Sequence, residues 1–81
     1  MDSAQAFGVA LRRRRLEASI TQEQLALGAG VGRVYVAWLE SGKRQPTFHT
    51  IVKLAASLGC SAGLLVSEAE ALMSEREASA K

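Results

Sequence analysis

Few side chains in this 81-residue sequence could support covalent or metal chemistry. The chain has one histidine (His49), one cysteine (Cys60) and one aspartate (Asp2). A structural zinc site needs four ligands, mostly Cys and His, so this set is too small to form one. The sequence also offers no cluster of nucleophile, acid and base. It therefore predicts a protein that is not an enzyme and that binds neither a metal nor a cofactor, with His49 exposed and Cys60 buried as a small apolar residue.

Positively charged side chains are more abundant than residues suited to covalent or metal chemistry, and they are unevenly distributed. Residues 1–58 contain eight Lys or Arg against four Asp or Glu, whereas residues 59–81 contain two against four. This asymmetry predicts that a polyanion contacts the first two-thirds of the chain while the C-terminal part faces away. Four of the cations form the run 12–15, but neighbouring residues on a helix point about 100° apart, so they cannot all face one partner. Their simplest interpretation is solvated surface charge.

The elements that position these charges are predicted to be five short helices, because apolar residues repeat every three or four positions. Side chains that can accept a free amide hydrogen bond precede four of them: Asp2 or Ser3, Thr21, Thr47 and Ser61. Gln24 completes a capping box with Thr21. On the fourth helix, a wide apolar stripe begins at Phe48. The predicted helices span residues 3–18, 22–28, 33–40, 48–58 and 62–75.

Length and composition predict one small domain, with a core at about residues 4–73 and a frayed tail at about 77–81. No apolar run approaches the roughly 18 residues of a membrane span. The N-terminus lacks a basic segment followed by an apolar stretch, so no signal peptide is expected. A single cysteine fits the reducing cytoplasm, where the protein is expected. A domain of this size buries little surface, and a partner subunit would add to its stability.

The most informative spacing lies within residues 21–41. Counting from Gln22, the chain has Ala26 four residues later, Gly30 eight later and Val36 fourteen later. The small residue lets two helices approach closely, and the glycine supplies the positive φ of a tight turn. The aliphatic residue faces inward from the second helix. This combination is typical of the DNA-binding helix-turn-helix motif.

The same stretch resembles the Cro/repressor-type (XRE-like) family, in which Thr-Gln opens the second helix and Glu-x-Gly-Lys closes the third. Here those motifs are Thr21-Gln22 and Glu40-Ser41-Gly42-Lys43. The resemblance extends into the first helix through Phe7, Gly8, Leu11, Arg12 and Arg15. It implies an all-α domain of five helices, similar to the lambda repressor, with the helix-turn-helix at helices 2 and 3.

The resemblance also implies a function, which is sequence-specific binding of double-stranded DNA by a regulator of transcription. The protein is expected to be a repressor or autoregulator that acts as a homodimer on an operator with two-fold symmetry, without a small-molecule ligand. It is expected to be of bacterial or phage type and associated with the nucleoid. The alternative is an antitoxin-like or adaptor module that has the same fold but binds DNA weakly or without specificity. The few hydrogen-bonding side chains at Gly32, Val34 and Ala37 favour this alternative.

The site residues follow from the motif, whose second helix enters the major groove with its N-terminal residues first. The residues expected to contact bases are Gly32, Arg33, Val34, Ala37 and Trp38. Arg33 is the strongest candidate, because its guanidinium can donate two hydrogen bonds to one guanine, and a phosphate contact is its alternative role. Trp38 either contacts the sugar–phosphate backbone or packs on the following loop. Phosphate contacts are expected from Gln22, Tyr35, Ser41, Lys43 and Arg44.

The family resemblance implies two further sets of contacts. In the family an arginine of helix 1 pairs with the glutamate that closes helix 3, which implies a structural ion pair between Arg15 and Glu40. The family commonly dimerises through its last helices, which implies a dimer interface on the fifth helix. The interface residues are expected to be Leu65, Ala69, Leu72 and Met73. The alternative role of these four residues is to fill the core of their own subunit.

Overall fold

The computed structural model describes residues 1–75 in full and the backbone of residues 76–80. Its five helices are α1 (Ser3–Glu17), α2 (Gln22–Ala29), α3 (Arg33–Glu40), α4 (Phe48–Leu58) and α5 (Ala62–Ala80). The described residues contain no strand, so the predicted all-α fold of five helices is confirmed. The last helix extends beyond its predicted end near residue 75, and the tail predicted to fray, residues 77–81, lies outside the fully described residues.

Local hydrogen bonds explain where the helices begin. The Asp2 carboxylate accepts from the Gln5 N–H at 2.8 Å, and the Thr21 hydroxyl accepts from the Gln24 N–H at 3.0 Å. In both cases the glutamine side chain accepts a bond from the backbone N–H of the cap residue, which completes a capping box. Thr47 and Ser61 cap α4 and α5 through their hydroxyl groups, which accept from the backbone N–H groups of Thr50 and Leu64 at 3.1 and 3.0 Å. Each such cap contributes about 1 kcal/mol to stability.

The core lies where α1 crosses α3 and α5, and where α2 packs on α3 and α4. Its fully buried side chains are leucines and one valine, contributed by all five helices: Leu11, Leu25, Val36, Leu39, Leu54 and Leu65. Gly30, in the left-handed conformation at φ 70°, ends α2 and directs the chain into α3. The short α2–α3 connection holds the exposed face of α3 at a fixed angle to the rest of the domain.

Close approach of α1 to α3 depends on one glycine inside α1. A Cβ added to Gly8 would lie 2.4 Å from the carbonyl oxygen of Leu39 and 2.7 Å from that of Glu40. Both distances are shorter than any ordinary contact, and both involve backbone atoms that cannot rotate away. The last turn of α3 therefore rests directly on the backbone of α1.

The apolar stripe of α4 is only partly buried. Leu54 and Ala55 lie in the core, whereas Phe48 is 76% exposed and Val52 is 42% exposed. Phe48 stands at the first position of α4. The sequence pattern therefore overstated how much of this helix the single subunit covers.

Within residues 1–75, no three His, Cys, Asp or Glu side chains are grouped as a metal site would require. None of the described helices is by itself both long and apolar enough to cross a membrane. The segments Phe48–Leu58 and Ala62–Glu75 reach that length and hydropathy only together, across a bend of 105°.

Candidate nucleic-acid interface

The outer face of α3 is open along its N-terminal half. Val36 and Leu39 are fully buried and fix the inward side of this helix. Because α-helical residues repeat every 3.6 positions, position 34 lies opposite this inward side and position 33 lies beside it. Arg33 and Val34 are accordingly exposed, and Ala37 is half-buried at the edge of the face. The first turn of α3 thus projects an arginine and a small apolar surface away from the core.

Gly32 caps α3 without a side-chain hydrogen bond. Nothing among the described residues lies within 4 Å of the position that its Cβ would occupy. The glycine is therefore not required by packing inside the subunit. Its effect is to leave the N-terminus of α3 uncovered, so that a flat partner can approach the backbone closely.

An ion pair ties α3 to the end of α1. The Nε atom of Arg15 lies 2.6 Å from Oε2 of Glu40, and its NH2 group donates to Oε1 at 3.0 Å. The same guanidinium donates to the carbonyl of Ile20 at 3.0 Å, in the link that leads to α2. The predicted Arg15–Glu40 pair is thus present, as a bidentate contact between side chains that are 9% and 3% exposed. The hydrogen bond with Glu40 raises the pKa of Arg15, although burial opposes the shift.

The network extends to the N-terminus of α2 through Gln22. Its side-chain amide donates to Oε1 of Glu40 at 3.1 Å. Since an amide nitrogen has two protons, one N–H of Gln22 remains for an external acceptor. Glu40 therefore orients a donor beside the free backbone amides of the first turn of α2, where anions are favoured.

The side chain of Trp38 packs against the loop that follows α3. The guanidinium of Arg44 lies 4.8 Å from the centre of the indole ring, in cation–π geometry. Two hydrogen bonds end on the carbonyl of Trp38, from the Lys43 N–H at 2.9 Å and from the Ser41 hydroxyl at 3.2 Å. Of the two roles considered for Trp38, the structure contains the loop contact, and 38% of the residue stays exposed.

The other residues expected to contact phosphate differ in exposure. Lys43 and Arg44 are exposed in the loop, and Ser41 is exposed at the end of α3. Tyr35 is half-buried against the core. A groove of about 650 Å³ adjoins the N-terminal end of α3, and its lining includes Arg12 of α1, Gln22 of α2 and Arg33.

The four residues expected at a dimer interface have two different environments. Leu65 is fully buried and Ala69 is 8% exposed, so both belong to the core of one subunit. The reason is that the first turns of α5 pack directly on α1. Leu72 and Met73 are partly buried and pack against the same core. A partner subunit could therefore not contact Leu65 or Ala69 and would have to pack on other residues of α5 or its neighbours.

One ion pair and the exposure of one residue were not predicted from the sequence. Arg14 was interpreted as a solvated charge, yet its Nε atom lies 2.5 Å from Oε1 of Glu68 on α5. That hydrogen bond raises the pKa of Arg14. Cys60, expected to be buried, is only half-buried, whereas His49 is exposed as expected. No residue near Arg14 in the sequence indicated this contact, because Glu68 lies 54 positions away.

The sequence also matches a known protein family. A helix-turn-helix family model matches residues 11–65, from the middle of α1 to the first turn of α5. The chain belongs to the Cro/C1-type helix-turn-helix family. The family match covers both helices of the motif and the elements that support it. The protein is therefore a transcriptional regulator of this family, and not an enzyme.

Relatives and solved structures support the same assignment. The chain is 38% identical over 61 residues to an uncharacterised helix-turn-helix transcriptional regulator of Sinorhizobium fredii, covering 75% of this chain and 79% of that one. It is 37% identical over 71 residues to the cryptic phage CTXphi transcriptional repressor RstR of Vibrio cholerae, covering 86% of this chain and 63% of the repressor.

Two solved structures superpose on the fold. The clp gene regulator ClgR of Corynebacterium glutamicum matches with a TM-score of 0.91 at 26% identity, over 98% of this chain and 84% of the regulator. The restriction-modification controller protein C.AhdI of Aeromonas hydrophila matches with a TM-score of 0.75 at 35% identity, over 76% and 94% of the two chains. The five-helix arrangement is thus shared with family members that regulate genes.

Proposed function

We propose that this regulator is a repressor or autoregulator that binds, as a homodimer, to an operator with two-fold symmetry. The observation that carries the proposal is the exposed N-terminal face of α3, held rigidly by the Arg15–Glu40 pair and framed by cations. An α-helix fits the major groove of B-DNA, where each base pair presents its own pattern of donors and acceptors. The similarity to a phage repressor supports the direction of regulation.

Base recognition is assigned to the first turn and a half of α3. The exposed guanidinium of Arg33 can donate two hydrogen bonds to O6 and N7 of a guanine. Val34, 51% exposed, can contact a thymine methyl group. The backbone of Gly32 and the small side chain of Ala37 allow the helix to lie deep in the groove. Trp38 belongs to the rim of this surface, since its ring supports Arg44.

Phosphate contacts are assigned to both flanks of α3. On one flank lies Gln22, whose remaining amide proton and neighbouring backbone N–H groups suit a phosphate. On the other flank, Lys43 and Arg44 are exposed, and stacking on Trp38 limits the motion of Arg44. Tyr35 can contribute its hydroxyl at the edge. Ser41 has a single hydroxyl proton, so it would have to release the carbonyl of Trp38 before donating to DNA.

The homodimer is supported by apolar surface on α4 and α5. Phe48, Val52 and Val66 are large apolar residues that are 76%, 42% and 38% exposed. Beside them runs an apolar groove of about 190 Å³, whose lining includes Ile51 and Met73. A second copy that covers this α4–α5 face would bury the surface that one small domain leaves open. Met73 therefore remains a proposed interface residue. Leu72, its neighbour in the chain, remains one as well.

Salt-dependent DNA binding separates this proposal from an interaction module with the same fold. A regulator that neutralises roughly 6–10 phosphates should lose about 10³–10⁵ in affinity between 50 and 200 mM salt. Removal of both flanking cations in a Lys43→Ala, Arg44→Ala variant should reduce the change of DNA affinity with salt concentration. Lys53→Ala is the control for the single variants Lys43→Ala and Arg44→Ala, because each of the three removes one cation and the Lys53 amino group lies near Gly30, at the end of α2 opposite to Gln22. Absence of salt-dependent affinity in the wild type would refute the proposal.

A further inference from the structure

We propose that Arg12 binds a phosphate of the DNA backbone in the groove beside α2, as a contact additional to those expected from the helix-turn-helix motif. The inference rests on the proposed function, since it assigns a ligand, the phosphodiester group, to a surface next to the same helix. It follows from the way in which the fold divides the four consecutive arginines at residues 12–15.

The four arginines have different surroundings, and only two of their charges are compensated within the subunit. Arg15 is buried against the glutamate that closes α3, and Arg14 pairs with a glutamate of α5. Arg12 and Arg13 are both exposed, and neither forms an ion pair with the described residues. Of these two, only Arg12 lines the groove next to α2. Arg12 lies three residues before Arg15, so both face the same side of α1.

The groove brings together several groups that recognise phosphate. Arg12 stands on its α1 side and Arg33 on its α3 side, and the first turn of α2 lies among its walls. The capping box uses the N–H of Gln24, so it leaves the N–H groups of Gln22 and Glu23 at the open end of the helix. Guanidinium groups and a helix N-terminus both favour a phosphate oxyanion.

One acidic side chain opposes this attraction without cancelling it. Glu23 also lines the groove, but it is exposed, so water and salt screen its charge. Arg15 lines the groove too, but its charge is balanced by Glu40. Arg12 and Arg33 therefore leave the groove positive. Because the groove adjoins the first residue of α3, a DNA strand bordering the major groove would pass beside it.

The test compares Arg12→Ala with Arg13→Ala in the full chain. Both changes remove one guanidinium from the exposed side of α1, alter the net charge equally and introduce a better helix former. Affinity is measured between 50 and 200 mM salt for a duplex selected from random sequence and for a scrambled duplex. We expect Arg12→Ala to reduce the slope of log affinity against log salt by about 1.8, which is about 0.9 for each subunit of the proposed dimer, so that the wild type loses about 12-fold more affinity over this range.

The expected control results are specific. Arg13→Ala should keep the wild-type slope, and Arg12→Lys, which keeps the charge, should keep it as well. Arg12→Ala should weaken both duplexes by the same factor, because a phosphate contact does not depend on sequence. Ethylation interference should show one phosphate per half-site whose ethylation impairs the wild type and not Arg12→Ala.

Two results would overturn the inference. Equal slopes for the two alanine variants, without such a phosphate, would remove Arg12 from the interface and leave the proposed function intact. A wild type without salt-dependent affinity would overturn both. Circular dichroism of each variant checks the fold, and ethylation interference on the wild type reports the phosphate contacts even if a variant is unstable.

Discussion

The outward residues of α3 differ in how much sequence information each can recognise. Arg33 offers a planar pair of donors, whereas Val34 offers only an apolar surface and Gly32 only its backbone. Discrimination among base pairs is therefore expected to be concentrated at the position that Arg33 contacts. In the proposed complex, the surrounding cations set the position of the protein on the duplex and supply affinity for any sequence.

This division predicts that Arg33→Ala relaxes preference at one base pair in each half-site, by about 1–3 kcal/mol. Arg44→Ala should instead weaken all sites by a similar factor, because it removes a phosphate contact. Both are measured as dissociation constants for operators that differ from the selected site at one base pair. If the pattern of preference is the same for Arg33→Ala and the wild type, then Arg33 contacts the backbone and not a base.

Residue types and spacing located this face because the motif is local in sequence. A cap, a left-handed glycine and two inward apolar residues are enough to determine which side of α3 faces outward. The neighbours of Trp38 and Arg14 could not be derived in the same way. Arg14 and Glu68 are separated by 54 positions, so nothing near either residue indicates the contact. Trp38 stacks on Arg44 because the loop after α3 folds back, which depends on its backbone.

At the scale of elements, helix starts were predictable and helix faces were less so. The bounds of α3 and α4 agree with the sequence prediction, since caps and glycine stops act within a few residues. Which side of α4 is covered depends on α2, and which side of α5 is covered depends on α1, and both neighbours lie far away in sequence. For this reason Phe48 is exposed at the start of the apolar stripe of α4, and Leu65 is buried, in the core role that the sequence left open beside the interface role.

The contact between α1 and α3 leads to a prediction for stability. Gly8→Ala should lower the free energy of unfolding by about 1–3 kcal/mol, because the new methyl group meets two carbonyl oxygens of α3. Gly63→Ala is the matched control, since a Cβ there meets only the Ser61 hydroxyl at 3.9 Å. The control should be neutral or stabilising by up to about 1 kcal/mol. Urea unfolding measures the free energy of unfolding of both variants. If Gly8→Ala leaves it unchanged, then α3 does not rest on the backbone of α1 as described.

The two ion pairs of α1 should differ greatly in importance. Glu40→Ala leaves the guanidinium of Arg15 buried without its charged partner, which should cost about 3–5 kcal/mol. Glu68→Ala should have a clearly smaller effect, because Arg14 and Glu68 are about one-third exposed and water screens the pair. Thermal unfolding of the two variants provides the comparison. If the two variants lose similar amounts of stability, then the buried Arg15–Glu40 pair does not hold α3 in place.

At the scale of the whole molecule, the proposed function joins two such domains on one operator. Two recognition helices must lie about one turn of DNA apart, roughly 34 Å, to occupy successive major grooves. The α4–α5 face is apolar, whereas the α3 face is framed by cations. A dimer formed through the former would leave the latter free for DNA.

This arrangement predicts that Phe48→Glu shifts the protein from dimer to monomer without unfolding it, because the side chain is 76% exposed. Leu27→Glu is the matched control, since Leu27 is equally exposed but lies on α2, outside the α4–α5 face. Sedimentation equilibrium gives the dimer dissociation constant of each variant. A dimer that Phe48→Glu leaves unchanged would place the interface on another surface.

The central claim is that the exposed first turn of α3 recognises base pairs in the major groove. Selection of bound sequences from random duplexes, followed by mass measurement of the complex, tests it most directly. We expect an enriched site with two-fold symmetry, half-site centres about 10 base pairs apart, and two chains per duplex. If no sequence is enriched at low salt, or if Arg33→Ala enriches the same sequences as the wild type, then α3 does not read DNA as described.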